Sequence, residues 1–184
     1  MKLLAILSAV LGLTLASPVK RDPDTISVTG KAITAALNEL DVAIVALTAE
    51  NVATQLDQMD TLSQAVVAAL ESGATKVAAS PKTELSGALA LAEGSQALTG
   101  AANKTLSDLL LKKDVIVASG RVDEVLAQLD AQQAGTTKYV EAIIGNLPSI
   151  ASQFAGRAVG AITSLFDKAA AQFGTDAPAA AAGA

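Results

Sequence analysis

Apolar residues return at every third or fourth position along nearly the whole chain, and that rhythm permits one regular element, the amphipathic helix. Ile33, Leu37, Leu40, Ile44 and Leu47 form a stripe on a helix starting near Asp24 or Thr25, with Lys31, Asn38, Glu39 and Asp41 largely off it. The pattern slips around Thr48–Asn51. Val52, Leu56, Met59, Ser63, Val66 and Leu70 then make a second stripe, which Ser80-Pro81 ends because proline restricts the residue before it and cannot continue a helix. A third segment, Thr83–Leu111, carries Leu85, Ala88, Ala92, Ser95, Thr99, Ala102, Leu106 and Leu109. Its middle is small. Breaks at Leu111–Asp114 and Gly120 precede a fourth stripe of Val122, Leu126, Leu129, Gln133, Thr136, Val140, Ile143 and Leu147, whose middle is polar. Pro148 opens the fifth, with Ile150, Phe154, Ala158, Ile162, Leu165, Ala169 and Phe173. Strand-like alternation is essentially missing.

Five long segments joined by short turns predict an all-α fold, an antiparallel bundle in which each helix buries one stripe against its neighbours. Helices of roughly 20 to 29 residues are about 30 to 43 Å long at 1.5 Å per residue, enough to house an extended acyl chain in a central apolar cavity. The small residues of the third stripe either let a neighbouring helix approach closely or leave a space. Without cysteine, stability has to come from apolar helix packing.

The N-terminus reads as an address. Lys2, the apolar run Leu3–Leu15 and a small-residue cleavage site at Thr14-Leu15-Ala16 make residues 1–16 a signal peptide, too short to span a membrane. Lys20-Arg21 before Asp22 reads as a dibasic processing site ending a short propeptide, 17–21, unless the pair simply flanks the signal. The domain is then 22–173, followed by an alanine-rich, low-complexity tail, 174–184, with nothing large to bury. Removing Lys2, Lys20 and Arg21 from the thirteen basic residues leaves ten against eighteen acidic ones, a formal charge of −8. Nucleic acid is a poor partner for such a surface, and so is an anionic bilayer. The expectation is a secreted monomer, extracellular or loosely associated with a cell wall.

Catalysis has little to work with. The chain has no histidine and no cysteine, which removes thiol nucleophiles, the usual zinc sites and Ser-His-Asp triads. No glycine-rich phosphate loop is present. A carboxylate pair could run glycoside hydrolysis, but none of the acidic residues occupies a stripe, and they read as solvated surface. No enzyme activity, metal or cofactor is expected.

Two features remain. Asn103-Lys104-Thr105 is an N-glycosylation sequon, either used, in which case Asn103 faces solvent, or an idle tripeptide. Ser63, Ser95, Thr99, Gln133 and Thr136 lie near the middles of otherwise apolar stripes, where a buried hydroxyl or amide needs a partner. They either bond to nearby helix carbonyls or meet a polar ligand group or water. With Ala92 and Ala102 of the small-residue stripe they are the candidate ligand-binding residues.

The signal peptide, the Lys20-Arg21 site, the phrase from Ile33 to Ile44, the turn at Leu110-Leu111-Lys112-Lys113, Leu126–Leu129 and the segment Ile143–Pro148 together resemble the fungal hydrophobic surface-binding protein A family, to which cell-wall galactomannoproteins of the Mp1p type belong. The resemblance implies a secreted helical bundle. Some members of the family adsorb to hydrophobic solids and recruit polyester-degrading hydrolases; others enclose fatty acids in a central cavity. For this chain it implies a fatty acid or other amphiphilic lipid held between the helices, or adsorption to a hydrophobic surface with a secreted hydrolase as partner. A structural mannoprotein whose glycans do the work is the third reading.

Overall fold

The computed structural model describes residues 24–82, 85–147 and 149–174, with side-chain surroundings outside 24, 85–95, 149–159 and 161. The expected signal peptide, the expected Lys20-Arg21 processing site and the residues beyond Gly174 lie outside these residues. All regular structure among the described residues is helical: α1 Asp24–Val45, α2 Val52–Ala79, α3 Leu85–Leu111, α4 Lys113–Ser119, α5 Val122–Asn146 and α6 Ser149–Gly174. Five are the long helices that the periodicity predicts. The seven-residue α4 occupies the break before Gly120, which ends it in the left-handed region at φ 74° and ψ 10°, a conformation that glycine adopts without a Cβ clash.

Packing closes the long helices into a ring. α1 lies between α2 and α3, α5 between α2 and α6, and α3 meets α6 to complete the circuit, while α4 caps one end against α2, α3 and α5. Successive long helices alternate in direction, so α2 and α5 run parallel to each other, as do α1 and α3. Lys112 fastens the capped end by donating from Nζ to the Leu47 carbonyl at 2.9 Å. The predicted stripe of α1 is buried throughout, as are Leu56, Met59, Ser63, Val66 and Leu70 of α2 and Ile162, Ala169 and Phe173 of α6.

One acidic residue departs from the surface role expected of all of them. Asp41 is only 7% exposed, held at the α1/α3 contact by an ion pair with Lys104, which also reaches Asp108 at 2.7 Å. Its Oδ1 has no hydrogen-bond partner among the described residues. Lys104 thereby holds the Asp108 carboxyl below its ordinary value, and the two carboxylates raise the Lys104 ammonium. The helical pattern placed Asp41 off the main stripe but could not show that α3 would cover that flank.

Candidate functional site

α5 has two neighbours and therefore two buried flanks, which corrects the single stripe expected of it. The predicted Val122, Leu129 and Val140 are buried, but Val125, Gln132, Gly135 and Tyr139 are buried as well, the last three against α2, while the predicted Leu126, Gln133 and Thr136 are half-buried. Five polar rungs cross the α2/α5 seam. Arg121 pairs with Asp57 at 2.7 Å, Gln128 Nε2 donates to Asp60 at 3.0 Å, Gln132 Nε2 to Ser63 Oγ at 2.7 Å, Lys138 meets Glu71 at 3.5 Å, and Asn146 donates to the Val77 carbonyl at the end of α2. The sequence separations along these rungs stay between 64 and 69 residues, as parallel helices in fixed register require.

Ser63 and Gln132 form the most buried rung, at 1% and 5% exposure. An amide and a hydroxyl in so apolar a place are stable because each satisfies the other. Ser63 Oγ accepts from the glutamine, so its own proton remains to be donated to a helix carbonyl or to a guest oxygen. Further along, Tyr139 is 1% exposed and shares a 2.9 Å hydrogen bond with Thr29 Oγ1, with the Ile26 carbonyl 3.3 Å from the phenol. Burial raises the phenol pKa, and the Thr29 bond opposes the shift. Gly73 makes room for the ring: a Cβ there would sit 3.0 Å from Tyr139 Cε2.

The other candidates are dispersed. Gln133 faces α6, where Nε2 donates to Asp167 Oδ1 at 2.8 Å. Thr136 takes the local option and donates to the Gln132 carbonyl at 2.7 Å. Ala102 is buried at 7% and Thr99 is half-buried on α3; Ala92 and Ser95 lie outside the residues whose side chains are described. Asn103 is exposed beside them, while Thr105 of the sequon is buried, donating to the Ala101 carbonyl at 2.9 Å. The structure thus pairs Ser63 with Gln132, which is not among the predicted residues, and sends Gln133 to the other flank. Val125 and Tyr139 were the signal for that alternative register, since they continue Val122, Leu129 and Gln132 at helical spacing.

Two recesses flank α5. The one toward α6, about 370 Å³, has Leu126, Leu129, Phe166 and Ala170 with Ala127, Asp130 and Gln133 around it. The one toward α2, about 350 Å³, passes over Ser63 between Asp60, Gln64, Glu71 and Gln128, with Val67 and alanines between them. Among the described residues no group of three or more acidic side chains could hold a metal ion, and no helix is long and apolar enough to cross a membrane.

A closed ring of five long helices, bridged by polar rungs along the α2/α5 seam, defines an all-helical bundle. Residues 24–145 match the family profile described as hydrophobic surface binding protein A, and the chain belongs to that family. It is 30% identical over 106 residues to cell wall mannoprotein 1 of Aspergillus fumigatus, a match covering 58% of this chain and 37% of that longer protein. The fold is that of Afmp4p, solved with palmitic acid, at TM-score 0.77 and 18% identity, covering 83% of this chain and 99% of that one. Ligand-binding domain 2 of the Penicillium marneffei MP1 protein, solved with arachidonic acids, superposes equally well: TM-score 0.77, 21% identity, 84% of this chain and 97% of that one.

Proposed function

We propose that this protein is a secreted, cell-wall-associated carrier that holds a fatty acid or related amphiphile between its helices and catalyses no reaction. The observation that carries the reading is the fold: over more than four-fifths of its length the chain superposes on domains solved with palmitic and arachidonic acids. Chain burial supplies affinity at about 0.8 kcal/mol per methylene. Ser63 and Gln132 supply a buried hydroxyl and amide for a carboxylate head, with Ala92, Ser95, Thr99 and Ala102 of α3 as the low-volume wall. The absence of histidine and cysteine supports binding without turnover. The signal peptide and the likeness to a cell-wall mannoprotein support the location, and the exposed Asn103 supports a glycan there.

Delipidated protein should take up a fluorescent fatty acid and release it to palmitate. Ala102→Leu should weaken that binding about tenfold or more, equivalent to about 1.4 kcal/mol, at little cost in stability if the added carbons enter the space that the carrier reading gives to the ligand. Wild-type protein that binds no fatty acid, with a variant destabilised by about 1 to 3 kcal/mol through overpacking, would sink the carrier reading. A second reading, adsorption to hydrophobic solids with recruitment of a hydrolase, is favoured by Val28, Val42 and Val45, which stand 61%, 69% and 51% exposed on α1. Val42→Asp with Val45→Asp should then abolish adsorption to polyester while leaving fatty-acid uptake intact.

A further inference from the structure

We propose that the recess between α5 and α6 is a second ligand site, separate from the ring interior, that takes an alkyl chain bearing a cationic head. The occupant follows from two properties of the recess. Its floor is apolar: Leu129 and Phe166 are 3% and 4% exposed, and Leu126 and Ala170 are half-buried beside them. At about 370 Å³ it lies within the range of small-molecule pockets. It spans Leu126 to Gln133 on α5, roughly 10 Å at the helical rise, a length suited to a medium alkyl chain.

Its rim is negative. Asp130 lines the recess, and Asp167, just outside the lining, accepts a 2.8 Å bond from Nε2 of the lining residue Gln133. Neither carboxylate meets a lysine or arginine within ion-pair distance among the described residues: Arg121 is engaged by Asp57 and Glu124, and Lys138 by Glu71. An ammonium group gains attraction at this rim, whereas a fatty-acid carboxylate is repelled. The recess on the other flank of α5 has carboxylates too, but between them it offers Ser63, glutamines, Val67 and alanines in place of large apolar side chains. Charge and grease coincide only on the α6 side.

The test is titration of the full-length protein with decyltrimethylammonium and with decanoate, followed by calorimetry and by amide shifts in α5 and α6. The alkylammonium should bind with shifts centred on Leu126–Gln133 and Phe166–Ala170, and decanoate should bind there at least tenfold more weakly. Asp130→Asn with Asp167→Asn should reduce alkylammonium affinity about tenfold; the asparagine at 167 retains an acceptor for Gln133. Ala170→Phe, which fills the floor, should reduce it independently. Saturating palmitate should leave alkylammonium binding unchanged, so failure here is distinct from failure of the carrier reading. Equal affinity of both heads, no loss in the double variant, full competition by palmitate, or no binding at all would each overturn the proposal.

Discussion

Toward α2, helix α5 presents Gln132, Gly135 and Tyr139 and is bridged by five polar rungs; toward α6 it presents Leu126 and Gln133 and is bridged by Gln133 to Asp167 and, at 3.4 Å, to the Thr163 carbonyl. The α2 flank achieves close approach with glycine. A Cβ on Gly135 would stand 3.2 Å from Leu70 Cδ1 and 3.3 Å from its Cβ. Polar rungs confer register more than net stability, since each exchanges a hydrogen bond to water for one to protein. Among the described residues the α6 flank is bridged from Gln133 and has an apolar-floored recess beside it. Both flanks keep a recess; on the α2 side the polar rungs fix the register, and on the α6 side the recess has the larger apolar side chains in its floor.

Breaking the α2 flank at its end should have the largest effect. Tyr139→Ala should cost about 3 to 5 kcal/mol in chemical denaturation, because the ring fills the space that Gly73 and Gly30 leave for it. Tyr139→Phe should cost only about 1 kcal/mol, since Thr29 keeps its bonds to the Thr25 and Ile26 carbonyls. Tyr139 is the only tyrosine, so its ionisation can be followed without interference. Its folded pKa is raised, so the folded state favours the protonated phenol. That contribution is fully present below the ordinary value of 10.0 and is lost as pH rises through the folded pKa. Tyrosinate absorbance should therefore appear above pH 10, together with loss of helicity; ionisation at the ordinary value with the helices intact would show the phenol to be solvated.

Gly135→Val tests the close approach itself. It should destabilise by about 1 to 3 kcal/mol, as the branched side chain pushes α2 away at Leu70. Gly100→Ala is the control: nothing lies within 4 Å of a Cβ there, and helix propensity alone should stabilise by up to about 1 kcal/mol. A neutral Gly135→Val would mean the two helices can separate freely.

The fold was legible because the apolar residues of α1, α2 and α6 recur at helical spacing and end up buried: Ile33 to Leu47, Leu56 to Leu70, and Ile162, Ala169 and Phe173. The site was less so. α5 buries two flanks, and a period of 3.6 passes through Gln133 and through Gln132 equally well; only the packing partner decides which glutamine enters the α2 seam. Asp41 failed for the same reason. A polar residue beside a stripe is exposed or buried according to whether a neighbour such as α3 covers that flank, and single-helix periodicity carries no information about that. Gly73 and Gly135 carried no signal either, because a glycine that admits a neighbour's side chain looks, in sequence, like any other helical glycine.

A double-mutant cycle on Ser63→Ala and Gln132→Ala sharpens the comparison further. The pair should show coupling of about 1 kcal/mol, since removing either partner leaves the other's buried polar atom unmatched, while removing both restores an apolar contact. Additive losses would mean that water reaches the seam through the recess above Ser63.

The smallest effect should come from the adjacent glutamine, and it makes the sharpest contrast because residue type and helix are the same. Gln133 is half-buried, and its partner Asp167 is exposed at the rim. When Gln133→Ala removes the amide, Asp167 exchanges that bond for water and no buried polar atom is stranded, so stability should change by no more than about 0.5 kcal/mol. Gln132→Ala, one position earlier, strands Ser63 in the seam and should cost about 1 to 3 kcal/mol. Paired denaturation curves on the two variants decide whether the flanks differ as the geometry requires. Equal losses would show the α6 flank to be closed as tightly as the α2 flank, and a ligand would then find no space beside Phe166.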